Sequence, residues 1–212
     1  MKRRLFIVAF LCGLALVGAA KYAHAESAEF FTDAVDDSKG QYKYAYGGGT
    51  TLEIETTGAH SGEACLKADL DCTQWSGAII GRNPLVPLVD LTKLKNPAVE
   101  FWVRGAEGGE RFEVLLIDAD DTDGNKTEVG AMASPKYVKV TKDWQKVTIP
   151  FVAYPKKGQY WDEAEGKTVP NEFNPKELKE IKFAVGPKYN RDKKSITIYI
   201  DDLKIVEAPE PM

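Results

Sequence analysis

The chain has 212 residues, 28 of them basic and 32 acidic, for a formal net charge of −4. An acidic chain without a basic run is a poor partner for nucleic acid or an anionic membrane. Only two histidines, His24 and His60, are present, which is too few for a His-rich zinc site and leaves a Ser-His-Asp triad almost no choice of base.

The first 25 residues read as an export signal. Lys2, Arg3 and Arg4 precede an apolar run from Leu5 to Ala20, and Ala23-His24-Ala25 is an A-x-A cleavage site. The run is too short and wrongly flanked for a membrane anchor. Cys12 follows Phe10-Leu11 and lacks the small residue that a lipidation signal needs before its cysteine. Cleavage after Ala25 would leave residues 26–212 as a single domain, exported to the periplasm or the exterior. It would remove four basic residues and no acid, taking the net charge from −4 to −8.

Strand-like runs then recur. Gln41 to Tyr46, Thr50 to Glu55, Ala64 to Leu70 and Gly77 to Ile80 come first. Ala98 to Arg104, Arg111 to Ile117, Tyr137 to Val140, Gln145 to Phe151, Glu180 to Val185 and Ser195 to Val206 follow. Turn signals separate them, among them Gly47-Gly48-Gly49, Gly105 to Gly109 and Pro155 to Gly158. Many short strands with almost no helical periodicity predict an all-β fold, a two-sheet antiparallel β-sandwich. The single helical expectation is one or two turns over Asn174 to Glu180, with an Asn cap and a Pro in the first turn.

Cys65 and Cys72 flank one alternating run, and seven steps along a strand is roughly 23 Å, so they are expected unpaired unless the chain turns between them. His60 lies in the turn-rich Thr57-Gly58-Ala59-His60-Ser61-Gly62 and is expected in a loop. Along Ala98 to Arg104 the alternation turns Phe101 and Val103 to the core and Glu100, Trp102 and Arg104 outward. Two readings are open for that outward row: it lines a groove, or a loop covers Trp102 while Arg104 pairs with Glu113 across strands. The acidic run from Asp118 to Asn125 has no EF-hand spacing and reads as a surface turn. The last run places Ile196, Ile198 and Ile200 on one face, and Asp201-Asp202 then interrupts it before Leu203 and Ile205. Such a pair marks a turn, a bulge or a bound cation.

Four segments stand in order: His60-Ser61-Gly62-Glu63-Ala64-Cys65-Leu66-Lys67; Val99 to Gly105 followed by Gly108 to Val114; Trp144 to Phe151; and Ile198 to Ile205. This series resembles the carbohydrate-binding modules with a galactose-binding-like jelly roll, family 11 and its relatives among them. The resemblance implies a structural calcium held by Asp201 with Glu29 or Asp33. It also implies a sugar groove served by the stretch after the Ile-Pro-Phe strand, where Tyr160, Trp161 and Asp162 supply the expected aromatic and acidic groups. Trp75 falls where that family carries an aromatic pair, and Tyr189 is a third stacking candidate. With Trp102 and Arg104, these residues are the expected ligand-binding set.

The function expected on this basis is non-catalytic binding of a polysaccharide or oligosaccharide. A pyranose offers an apolar face to an aromatic ring, and its hydroxyls need polar partners. Two alternatives stand beside it. One is a jelly-roll glycoside hydrolase or lyase using acids such as Glu100, Glu113 and Asp162. The other is an envelope scaffold without sugar binding.

Overall fold

Alternating burial along each strand produces two facing sheets. The structure, a computed structural model, describes residues 28–83, 86–119 and 126–209. The signal segment and the acidic run beyond Ala119 lie outside the described residues.

The strands are β1 (Ala28–Phe31), β2 (Gln41–Tyr46), β3 (Thr51–Glu55), β4 (Cys65–Asp71), β5 (Ser76–Arg82), β6 (Pro97–Gly105) and β7 (Glu113–Asp118). They continue as β8 (Glu128–Met132), β9 (Gln145–Pro150), β10 (Lys157–Asp162), β11 (Lys167–Glu172), β12 (Leu178–Val185) and β13 (Ser195–Glu207). One sheet has the order β3-β4-β13-β6-β9, with β1 also paired to β13. The other has seven strands in the order β11-β10-β8-β7-β12-β5-β2. The pairs are antiparallel, as expected for a β-sandwich.

The inward rows make one core. From the six-stranded sheet come Leu66, Ala68 and Leu70 of β4, Phe101 and Val103 of β6, and Ile196, Ile198 and Ile200 of β13. The seven-stranded sheet answers with Ile80, Val114, Leu116, Ile181 and Phe183. Phe101 meets Phe183 edge-on across the interface, ring centroids 5.2 Å apart, which adds about 0.5–1.5 kcal/mol beyond area burial.

The two acids in the last strand form a bulge. The register of β13 against β6 shifts between Asp201 and Lys204, and Asp202 has φ 50°. The extra residue resets the alternation, so Leu203 and Ile205 return to the core that Ile200 left. Beyond the bulge, β1 lies along β13, with Ala28 opposite Ile205 and Phe31 opposite Leu203.

Two local expectations are corrected. Residues 174–177 form a turn rather than a helix. Asn174 does accept from Lys176 N, but the Pro175 carbonyl is taken by Leu91 N at 2.8 Å, and Leu178 already bridges to Val89. Tyr137 to Val140 is no strand: Tyr137 N and Val138 N both turn back to the Ala133 carbonyl, although Val138 and Val140 are still buried. The sequence reading also passed over β1, β8, β10 and β11. Cys65 and Cys72 are both buried and unpaired, and burial pushes the Cys65 thiol up to about 11.

Candidate functional site

Sheet register fixes what the outer face of the seven-stranded sheet presents. One row across it reads Tyr42, Gly81, Glu180, Ile117, Glu128 and Gln159, from β2 to β10. The next row reads Tyr44, Ile79, Lys182, Leu115 and Gly130. Directly opposed residues share a face, so these side chains project together.

The glycines in β5 let β2 close over the floor. A Cβ on Gly81 would lie 2.4 Å from the Tyr42 ring, and one on Gly77 would lie 2.8 Å from Tyr46. Tyr42 and Tyr46 therefore lie flat across β5 toward β12. There the Tyr42 and Tyr44 hydroxyls donate to the two oxygens of Glu180 at 2.5 and 3.1 Å. Lys126 Nζ donates to Glu180 Oε1 at 2.9 Å. Lys182 pairs with Glu128 and stands over the Tyr46 ring at 5.3 Å. Burial, then the Glu180 carboxylate, hold the Tyr42 and Tyr44 phenols well above their ordinary range. Glu180 is 1% exposed and Lys182 5%, although both sit on the outer face of a sheet.

Above this floor lies a groove of about 900 Å3. Trp75, at the turn into β5, closes one end. Tyr160 and Trp161 of β10 stand at the other, with Gln159 beside them. Trp161 is 62% exposed, Tyr44 and Trp75 each 41%, so three rings are offered to solvent around a polar floor. The hairpin β10–β11 pairs internally over six residue pairs, but meets β8 through Gln159 opposite Glu128 alone.

The expected ligand set is thus divided. Trp75, Tyr160 and Trp161 line the groove. Tyr189 stands behind Trp75, edge-on at 6.3 Å, with its hydroxyl donated to Glu113. Asp162 accepts from Ala164 N and Glu165 N and so shapes the β10–β11 turn. Trp102 and Arg104 belong to the other sheet. The row Glu100, Trp102, Arg104 lines no part of this groove, because β6 is in the six-stranded sheet.

A loop covers that second face. His60 stacks on Trp102 with centroids 3.7 Å apart, and Trp144 meets His60 edge-on. Arg104 lies over Tyr199 at 3.6 Å and near Trp144 at 5.2 Å, so it is sandwiched by rings rather than paired with Glu113. Residues 56–64 are held there by acids. Asp201, fully buried, accepts from His60 N and Ser61 N on one oxygen and Asp202 N on the other. Burial raises the Asp201 carboxyl above its ordinary 3.8, against the pull of these N–H groups. Asp33 accepts from Glu63 N and Ala64 N, so close to Gly62 that a Cβ there would be 2.0 Å from its oxygen.

This donor set does not fit the expected calcium. Both oxygens of Asp201 and Oδ1 of Asp33 accept backbone N–H groups, Glu29 is an exposed residue of β1, and no three His, Cys, Asp or Glu side chains converge among the described residues. The acids named for hydrolysis are not brought together either. Glu100 pairs with Lys146 and Lys204 on the six-stranded sheet, while Glu113 and Asp162 belong to the seven-stranded one.

Tyr44, Tyr46, Lys126, Glu128, Glu180 and Lys182 escaped the sequence reading. One signal was there to be used: Tyr42, Tyr44 and Tyr46 alternate within Gln41 to Tyr46, placing three phenols on a face expected to be solvated.

The family model for carbohydrate binding domain 30 matches residues 21–207. The chain belongs to this family. Family 30 is thus the relative to which the galactose-binding-like resemblance leads. A family 30 module from a cellulosomal cellulase of Clostridium thermocellum is 23% identical, with 88% of this chain and 100% of that one covered and a TM-score of 0.64. A family 11 module from the same organism, in complex with a β-1,3-1,4-mixed-linked tetrasaccharide, is 14% identical over 88% of this chain and 99% of that one, with a TM-score of 0.54. At these identities the likeness to solved structures carries the jelly-roll fold. No curated protein sequence matches the chain.

Proposed function

We propose that this family 30 domain is an exported, non-catalytic binder of a neutral polysaccharide, held across the seven-stranded sheet. The observation that carries the reading is the groove: exposed Trp75, Tyr44 and Trp161 rings around a hydrogen-bonding floor. Rings stack on the apolar faces of pyranoses, while Gln159, Lys126 and Glu163 meet their hydroxyls. The lysines of the groove are already neutralised, Lys126 by Glu180 and Lys182 by Glu128, which favours an uncharged polymer over a uronate or sulfated one.

Binding is favoured over hydrolysis by the same pairs. Glu128 and Glu180 stand in one row two strands apart, about 9.6 Å between backbones. That approaches the carboxyl separation of inverting glycosidases. Each carboxylate, however, is already engaged by a lysine ammonium, Glu180 by Lys126 and Glu128 by Lys182, so neither is free to reach a glycosidic oxygen.

Affinity electrophoresis of residues 26–212 through soluble neutral polysaccharides, mixed-linked β-glucan among them, tests the reading. Retardation without release of reducing sugar, abolished in a folded Trp161→Ala, is the expected result. A folded wild-type protein that no neutral polymer retards would overturn it.

A further inference from the structure

We infer that Glu180, which is closed off from solvent, is the positioning residue of the groove: it sets a Tyr44 platform and a Lys126 donor at fixed places for the glycan. The inference rests on the binding reading above and deepens it.

Glu180 gathers three donors from two separate parts of the chain. Tyr42 and Tyr44 come from β2, an edge strand paired only with β5. Lys126 comes from the segment leading into β8, two strands away on the other side of β12. Oε1 takes Tyr42 and Lys126, and Oε2 takes Tyr44. The carboxylate itself is 1% exposed. Tyr44 and Lys126, by contrast, are 41% and 43% exposed and both line the groove.

Each donor gives up one degree of freedom to the same buried anchor. The Tyr44 ring is braced by its hydroxyl at one end and by Tyr42 at 6.1 Å alongside. An ammonium has three protons, so Lys126 keeps two for ligand hydroxyls after its bond to Glu180. A lysine on a flexible stem is otherwise a poorly placed donor, and ordering it in advance removes a cost that binding would carry. Glu180 thereby couples two ligand contacts that do not touch each other.

A double-mutant cycle on polysaccharide affinity tests this. Glu180→Gln keeps shape and removes the charge, and is expected to weaken binding roughly 5- to 50-fold. Tyr44→Phe keeps the ring and should weaken wild type several-fold but add nothing when combined with Glu180→Gln. A purely structural Glu180 would lower the melting temperature and leave these affinities additive. If Glu180→Gln fails to fold, the cycle between Tyr44→Phe and Lys126→Met replaces it: non-additive losses between these separated groups support the inference, and additive ones overturn it. Retention abolished by Trp161→Ala with Glu180→Gln matching wild type sinks this inference and leaves the binding reading standing. A wild type retarded by no polysaccharide sinks both.

Discussion

Asp201→Ala is expected to unfasten the loop over the six-stranded sheet. The buried carboxylate accepts three backbone N–H groups, two from the loop and one from its own bulge. Hydrogen bonds to a charged acceptor contribute about 1.5–3 kcal/mol each. Burial of the charge outweighs that gain in the ionised form, as the raised Asp201 carboxyl records, so the loss on truncation comes from the N–H groups left without an acceptor, about 1–3 kcal/mol each. The loop can also swing its two N–H groups out to water once released. A net loss of about 3–5 kcal/mol follows, comparable to removing one partner of a buried pair. For a domain of this size each kcal/mol moves the melting temperature by roughly 2–4 °C, so a fall of about 6–20 °C is expected by scanning calorimetry. Chelator should leave the wild-type curve where it is, since no three His, Cys, Asp or Glu side chains converge among the described residues. The pH dependence has a defined sign. A carboxyl raised in the folded state contributes stability that is full below its unfolded value of 3.8 and is lost as pH climbs through the folded one. The advantage of wild type over Asp201→Asn should therefore shrink from pH 3.8 upward and then level off. A loss under about 1 kcal/mol on Asp201→Ala would refute the latch. A wild-type melting temperature that drops with chelator would return these acids to calcium.

Two further outcomes separate the faces of the sandwich. Gly81→Ala places a methyl 2.4 Å from the Tyr42 ring, so Tyr42 must lift and release Glu180; an overpacking loss of about 1–3 kcal/mol and weaker polysaccharide retention are expected together. Trp102→Ala removes the ring beneath His60 and should lower the melting temperature while leaving retention at the wild-type level, because β6 is absent from the groove.

Much of the fold was legible because burial follows period two. The Ile196, Ile198, Ile200 row announced the strand; the Asp201-Asp202 interruption left a turn, a bulge or a bound cation open, and the register shift makes it a bulge. Short or doubly exposed strands were not legible. β10 and β11 carry Gly158, Pro170 and many polar residues, with no apolar row to reveal them, since neither face of most of that hairpin meets the core. Trp75 and Trp161 are reached through the resemblance to sugar-binding modules, which expects aromatics in those two stretches. Glu180 and Lys182 could not be picked out: in the sequence they are charges alternating with Ile181 and Phe183, which reads as a solvated face. Only the register with β2 and β8 shows tyrosines and countercharges covering them. The division of Trp102 from Trp161 was equally hidden, because alternation tells inside from outside but not which of two sheets a strand joins.

The pairing of β1 with β13 bears on how the domain responds to load. Ala28 lies opposite Ile205, so the chain enters and leaves the sandwich side by side, both on the six-stranded sheet. Tension applied between those points acts across the ladder and opens it one residue pair at a time, starting from Ala28. The first element to peel is β1, a four-residue strand whose Phe30 and Phe31 are seated in the core. The seven-stranded sheet carries none of that force directly. A domain gripping a polymer on one sheet while being pulled through the other would yield at β1 before its groove deformed.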